Sequence, residues 1–224
     1  ERWLRDLAAC GPEGETLACA LVVSWVETNG KWEDFAWRLS VTADRLINLL
    51  SAGPWLFSRI EGDARNHLLE SVGRQIRHLQ FSGPDEADPV ARFRIAVALC
   101  LAGAATEDGR KILDAGLSML EAECGKQILP DGGHISRSPE QLAHTLLDVQ
   151  AVEDLILRLG MSAPAFLTRL QPRMAAMLSF FQTADGGLLP ANGGGDASDG
   201  LARAALRPHG ALNAKFSFAR LSAY

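Results

Sequence analysis

Within the segment "QILPDGGHISRSP" (127–139), Asp131, His134 and Arg137 are the residues with the chemistry to meet an anion. A histidine and an arginine flanking a tight turn can together neutralise a carboxylate or sulfate on a sugar. A purely local role is open as well, with Asp131 accepting turn amides and holding His134 or Arg137. A second basic stretch, "RNHLLESVGRQIRHL" (65–79), carries Arg65, Asn66, His67, Arg74, Arg77 and His78. On a helix, His67, Arg74 and His78 would share a face and could line an acidic glycan. Glu61, Asp63 and Glu70 lie nearby, and a solvated charged face is the simpler reading. Trp25, Trp32, Phe35, Trp37 and Trp55 crowd the first third. Indole stacks well on sugar rings, although packing between helices accounts for most such residues.

The punctuation around these residues describes the scaffold. Apolar residues recur at helical spacing almost throughout: Leu113, Leu117, Leu120 and Cys124 form one stripe, and Leu142, Leu146, Val149, Val152, Ile156 and Leu159 another. Turn signals fall at Asn29-Gly30, Ser82-Gly83, Asp131-Gly132 and Asp185-Gly186, and the intervals between those glycines are 53, 49 and 54 residues. Each interval has a weaker break near its middle: Gly53-Pro54, Ala105 to Gly109, and Gly160 to Pro164. Two helices of about 20 residues fill such an interval. The spacing therefore predicts an array of antiparallel helical hairpins, all-α, with the four glycine turns on one rim. Gln80, Gln127 and Gln182 precede three of the turns. "DGG" ends a helix and needs positive φ, and Ser138, Pro139 and Gln141 then make a capping box for the next one. That accounts for Gly132, Gly133, Ser138, Pro139 and Gln141 and leaves His134 and Arg137 without a structural reason. "LLPANGGGDASDG" (188–200) reads as a loop, and Phe216 and Phe218 alternate in a tail that could begin a strand.

Composition narrows the function classes. The net charge of −5, with 47% hydrophobic and 22% charged residues, fits a globular domain and supplies no basic field for nucleic acid. No apolar run is long enough to span a bilayer, and no signal peptide is visible. The four scattered cysteines read as buried thiols. Bacterial periplasm and cytoplasm both fit. Metal-ligand spacing is poor, and a G-x-S-x-G elbow, a phosphate loop and a GxGxxG fingerprint are absent, so neither a metal nor a cofactor is expected.

The segment "EAECGKQILPDGGHISRSPEQLAHTLLDV" (121–149), supported by 25–50 and 172–195, resembles the heparinase II/III family of polysaccharide lyases. The resemblance implies an incomplete (α/α) toroid over 1–200, with 201–224 a linker or the beginning of a β-sandwich domain. It also implies β-elimination at a uronic acid: one group neutralises the carboxylate, a Tyr or His takes the C5 proton, and a Tyr or His protonates the leaving oxygen. The sequence departs from that pattern. The family's "ERSPMYH" stands here as "SRSPEQL", which puts Gln141 and Leu142 at its Tyr and His positions. Its Asn-His pair falls near 85–95, which holds neither residue, and the one tyrosine is Tyr224. The resemblance then leaves His134 as the candidate catalytic or substrate-orienting residue and Arg137 as the uronate clamp, with Asp131, Asn66 and His67 as further substrate-binding candidates. The expected partner is an acidic polysaccharide. The two principal readings are a uronate-polysaccharide lyase and a toroid without catalysis that binds glycan or serves as a structural module. A hydrolase using Asp131 and Asp185 as paired carboxylates is a third.

Overall fold

The computed structural model describes residues 3–195 and 199–207. Its elements are α1 (Trp3–Ala9), α2 (Pro12–Asn29), α3 (Leu39–Arg59), α4 (Gly62–Ser82), α5 (Pro89–Ala105), α6 (Arg110–Gln127), α7 (Pro139–Arg158), α8 (Ala165–Phe180) and α9 (Asp199–Ala205), with a 3-10 turn at Gly83–Asp85. Among the described residues the β-structure is confined to isolated bridges at Ile128–His134 and Gln182–Leu188. Two compact units are present: described residues 3–119, and described residues 120–195 with 199–207; the boundary falls within α6.

In the first unit α3 packs along α5, and α4 lies against α2, α3 and α5. Arg45, early in α3, bonds Gln75, late in α4, so this pair runs antiparallel. The α5–α6 pair does the same, with Gly103 backing onto Leu113 and Gly116 onto Cys100. A Cβ at those glycines would fall 2.3 and 2.7 Å from the facing backbone nitrogen, so the helices cross where only glycine fits. Residues 95–105 of α5 are all buried, which explains an apolar run without a polar face.

In the second unit α7 packs against α8 and α9. Gln171 of α8 donates to Glu153 of α7 at 2.8 Å, again antiparallel. Ile128, Leu142, Leu146, Met174, Leu178 and Leu188 form its core.

The predicted breaks at 105–109 and 160–164 are where the chain turns. The one at Gly53-Pro54 is not. Helix α3 continues to Arg59, and the reversal comes at Ile60 and Glu61, before Gly62 at φ 60°. Pro54 removes only one intrahelical donor, and buried Leu56 and Phe57 on the next turn hold the helix in place. Of the two predicted stripes, Leu117 is half-buried and Leu159 lies exposed beyond α7, while the others are buried. All four cysteines are free thiols, but only Cys100 and Cys124 are buried; Cys10 is exposed and Cys19 half-buried. Burial pushes the Cys124 thiol up to about 12. The strand expected around Phe216 and Phe218 lies outside the described residues, whereas the first part of the expected 201–224 segment falls in α9, whose Ala202 and Ala205 are buried in the core of the second unit.

Within each unit the glycine turns lie at one end. Gly30 follows α2 and Gly83 follows α4, and His78 near the end of α4 bonds the carbonyl of Trp37 in the α2–α3 loop at 2.9 Å. Gly132 follows α6 and Gly186 follows α8. The segment after Gly186 reaches the segment after Gly132 through Asn192 Nδ2, which donates to the Arg137 carbonyl at 2.9 Å.

Candidate functional site

The two DGG turns of the second unit match bond by bond. Leu129 N–H donates to Gly133 O at 2.8 Å, and Thr183 N–H to Gly187 O at 3.1 Å. Gly132 N–H donates to Leu129 O and Gly186 N–H to Thr183 O, each at 2.9 Å. The carboxylates of Asp131 and Asp185 accept from Gly133 and Gly187 N–H at 2.9 and 3.2 Å. Ile135 N–H closes onto Gln127 O, and Leu189 N–H onto Phe181 O. The equivalence therefore pairs Gln127 with Phe181, not with Gln182 as the sequence pattern suggests. It also pairs His134 with Leu188, and both are buried, at 3% and 5% exposure.

His134 is thus held as a plug in the loop. Ser136 N–H points at its Nδ1 at 3.1 Å, and Ser136 Oγ lies 2.7 Å from the same nitrogen. An accepting Nδ1 places the ring proton on Nε2, and Nε2 is buried with no partner among the described residues. Burial without a compensating acceptor holds the imidazole pKa below its ordinary value, so the ring is neutral. Ser138 N–H in turn donates to Ser136 Oγ at 3.2 Å, and Ser138 Oγ caps α7 through Gln141 N–H at 3.3 Å. Only this half of the expected capping box forms, because the Gln141 side chain turns forward to Thr145.

Arg137 is the opposite case. Its side chain is exposed and makes no hydrogen bond or ion pair among the described residues, while its backbone sits at φ 56°. Asn192, itself at φ 50°, holds that backbone through the carbonyl bond already described. Glu140 accepts from Gly195 N–H at 2.7 Å and completes the clasp between the two segments. Asp131 binds its own turn and neither His134 nor Arg137. Asp185 is likewise a turn residue, and its carboxyl is held below the usual range by Thr183 and Gly187. A depressed pKa is the wrong direction for a general acid, which disfavours paired-carboxylate hydrolysis. Gln141 is half-buried and Leu142 belongs to the core. The exposed Arg137 guanidinium is the group of this loop suited to an anion, and the titratable groups nearby on α7 are Glu140, which holds Gly195 N–H, and His144, whose Nε2 stands 3.9 Å from Glu140 Oε1.

Asn66 and His67 belong to the first unit, exposed on the opening turns of α4. They lie about 25 Å along that helix from the Gly83 turn, away from the end where the unit's turns gather. The predicted basic stripe is divided. Arg74 Nη1 stands 3.6 Å from Glu70 Oε2, and His78 is tied to the α2–α3 loop. The aromatics divide as well: Trp37 is buried, whereas Trp32 and Phe35 are 64% and 63% exposed. Sequence reasoning passed over Arg45, buried at 1% exposure. It stacks on Trp25 with Cζ 4.1 Å from the ring centre, and it bonds Gln75, Ala36 O and Thr42. Its position in an apolar helix register gave no signal. Asn192 and Glu140 were missed because their partners are distant in sequence.

No family model matches the chain. FtsZ-localized protein C of Caulobacter vibrioides (strain NA1000 / CB15N) is 32% identical over 194 residues, which cover 86% of this chain and 33% of the relative. The crystal structure of heparinase III superposes with a TM-score of 0.65 at 17% identity, over 82% of this chain and 30% of that one. Heparan sulfate lyase HepC from Pedobacter heparinus gives a TM-score of 0.60 at 19% identity, over 84% and 31% of the two chains. The fold is heparinase-like. The expected all-α architecture of the incomplete (α/α)-toroid class agrees with these neighbours, and identities this low speak to fold alone. The chain spans about a third of the length of the proteins it matches. Among the described residues no helix is long and apolar enough to cross a membrane, and no group of three or more metal-ligating side chains occurs.

Proposed function

We propose that this chain is a lyase-like helical domain that binds an acidic glycan without cleaving it. The observation that carries this reading is the state of His134. Elimination needs a base that reaches a sugar C5 proton, and this ring is enclosed, with its accepting nitrogen Nδ1 already engaged by Ser136. Gln141 and Leu142, where the resemblance would place the base, have no basic group. Arg137, by contrast, is free to face a uronate carboxylate, and a strained backbone holds it in position. Asp131 serves it indirectly by fixing the turn. The name of the Caulobacter relative, an FtsZ-localized protein, states a location and no catalytic activity. A β-sandwich domain after this one, as in the lyases it resembles, belongs to the same proposal.

The test is incubation of the purified protein with a panel of uronate polymers, followed by ultraviolet absorbance and glycan binding. The expected result is no unsaturated ends, together with binding that falls in Arg137→Ala and survives His134→Leu. A rise in absorbance that His134→Leu abolishes would show that the domain is a lyase.

A further inference from the structure

The first unit holds a second set of groups that the DGG loop does not use. The α2–α3 loop, "GKWEDFAWR" (30–38), is fastened from several sides. Glu33 accepts from Ala36 N–H at 2.6 Å, Arg45 donates to Ala36 O at 2.8 Å, and Trp37 Nε1 donates to Asn29 O at 3.1 Å. His78 bonds Trp37 O at 2.9 Å. A loop tied this firmly would be expected to bury its apolar side chains, yet it holds Trp32 out in solvent at 64% exposure. The indole is braced from behind. The His78 ring meets it edge to face at 5.2 Å, and Trp37 lies 6.1 Å away.

A cation stands beside this platform. Arg74 is one helical turn before His78 on the same face of α4, and a Cβ placed on Gly30 would lie 3.8 Å from its Nη2. Its guanidinium is poorly engaged: Nη1 is 3.6 Å from Glu70, and Nε is buried with no partner among the described residues. An orphaned N–H is a cost that a bidentate acceptor would remove by drawing the guanidinium outward, so that Nε and an Nη meet two oxygens together. Lys31 and Arg38 are matched in the loop by Glu33 and Asp34, so the charge offered to an anion beside Trp32 is that of the Arg74 guanidinium.

We propose that Trp32 and Arg74 form a subsite for one acidic sugar residue, with the indole stacking on the pyranose face and the guanidinium taking the carboxylate or sulfate. A rigid, pre-positioned ring needs little ordering on binding, and this favours a sugar, which offers a flat apolar face with a charge at its edge. The subsite deepens the glycan-binding reading and rests on it.

The probe is a heparan sulfate oligosaccharide titrated calorimetrically into the protein, with its desulfated, carboxyl-reduced counterpart as the neutral comparison. Trp32→Ala and Arg74→Gln are each expected to weaken binding of the acidic probe about tenfold. Trp32→Phe should retain most of it, and Arg74→Gln should reduce the salt dependence. Trp32 is largely exposed, so thermal melting should be unchanged in Trp32→Ala. Parental affinity in both variants, with binding lost in Arg137→Ala, would overturn this subsite and leave the reading of the second unit standing. Equal affinity of the parent for the neutral probe would overturn the role of Arg74. An acidic probe that the parent does not bind would overturn both the subsite and the reading it rests on.

Discussion

Gly132 and Gly186 occupy the same position in equivalent turns, at φ 91° and φ 89°, but their surroundings differ. A Cβ on Gly186 would meet nothing within 4 Å. A Cβ on Gly132 would lie 2.2 Å from the Arg173 carbonyl oxygen and 2.5 Å from its carbon, in the middle of α8. Alanine at 186 thus incurs only the left-handed conformation, about 1–2 kcal/mol. Alanine at 132 incurs the same conformational cost plus an overlap with helix backbone that no rotamer relieves. The loop must lift from α8, which adds about 1–3 kcal/mol, the range for overpacking. Gly132→Ala should therefore lose about 2–5 kcal/mol and Gly186→Ala about 1–2. In a chain of this size each kcal/mol lowers Tm by about 2–4 °C. Urea titration of the two variants alongside the parent measures the difference directly, at unchanged m. Losses equal within about 0.5 kcal/mol would refute the close seating of the DGG loop on α8.

Three further outcomes follow from the same geometry. Burial lowers the His134 pKa, so the unfolded chain binds a proton that the folded one resists; stability is full above the ordinary value near 6.5 and falls as pH drops below it. His134→Leu, which places in this loop the residue its equivalent carries, should flatten that slope in Tm measured from pH 8 to 5 (about the range over which histidine titrates); parallel profiles would refute the assignment. Gln75→Leu strips the acceptor from Arg45 Nε, 2.9 Å away in a fully buried setting, and should cost about 1–3 kcal/mol in urea. Arg137→Gly relieves a left-handed non-glycine backbone and should gain up to about 1 kcal/mol while weakening binding of acidic glycan, seen as opposite shifts in melting and calorimetry.

The hairpin array was legible because its signals are local. A glycine after an apolar helix, a Ser-Pro opening the next one and a regular interval report the chain's own geometry, and the α6–α7 and α8 turns fall where they predict. Gly53-Pro54 misled because a proline marks a lost donor, not a reversal, and burial of Leu56 and Phe57 decided the outcome. The site was less legible because its character depends on contacts distant in sequence. Asn192 reaches Arg137 across 55 residues, and Arg45 reaches Gln75 across 30. A histidine in a polar-looking loop resembles a catalytic group until its burial is known. Trp32 and Trp37, five residues apart, have the same sequence-level weight, yet one is in solvent and the other in the core.

The duplication of the DGG turn separates scaffold from site in a way that one loop alone could not. Whatever both turns share, from Leu129 and Thr183 to Ile135 and Leu189, is needed to reverse the chain. The side chains of His134 and Leu188 fill the same kind of enclosed position, so enclosure there is a property of the frame. What the frame leaves over is the stretch that follows, Ser136-Arg137 in one turn and Pro190-Ala191 in the other. Pro190 has no N–H to offer, and Leu188 needs none; Ser136 has one, and His134 accepts it. The serine accommodates the histidine, and the histidine fixes the serine whose hydroxyl accepts from Ser138 N–H at the cap of α7. The residue between that serine and the cap is Arg137, the one member of the excess that faces solvent with its charge uncommitted among the described residues. Subtracting one turn from the other thus accounts for His134 as a positioning residue and leaves Arg137 as the residue on which the proposed anion binding rests.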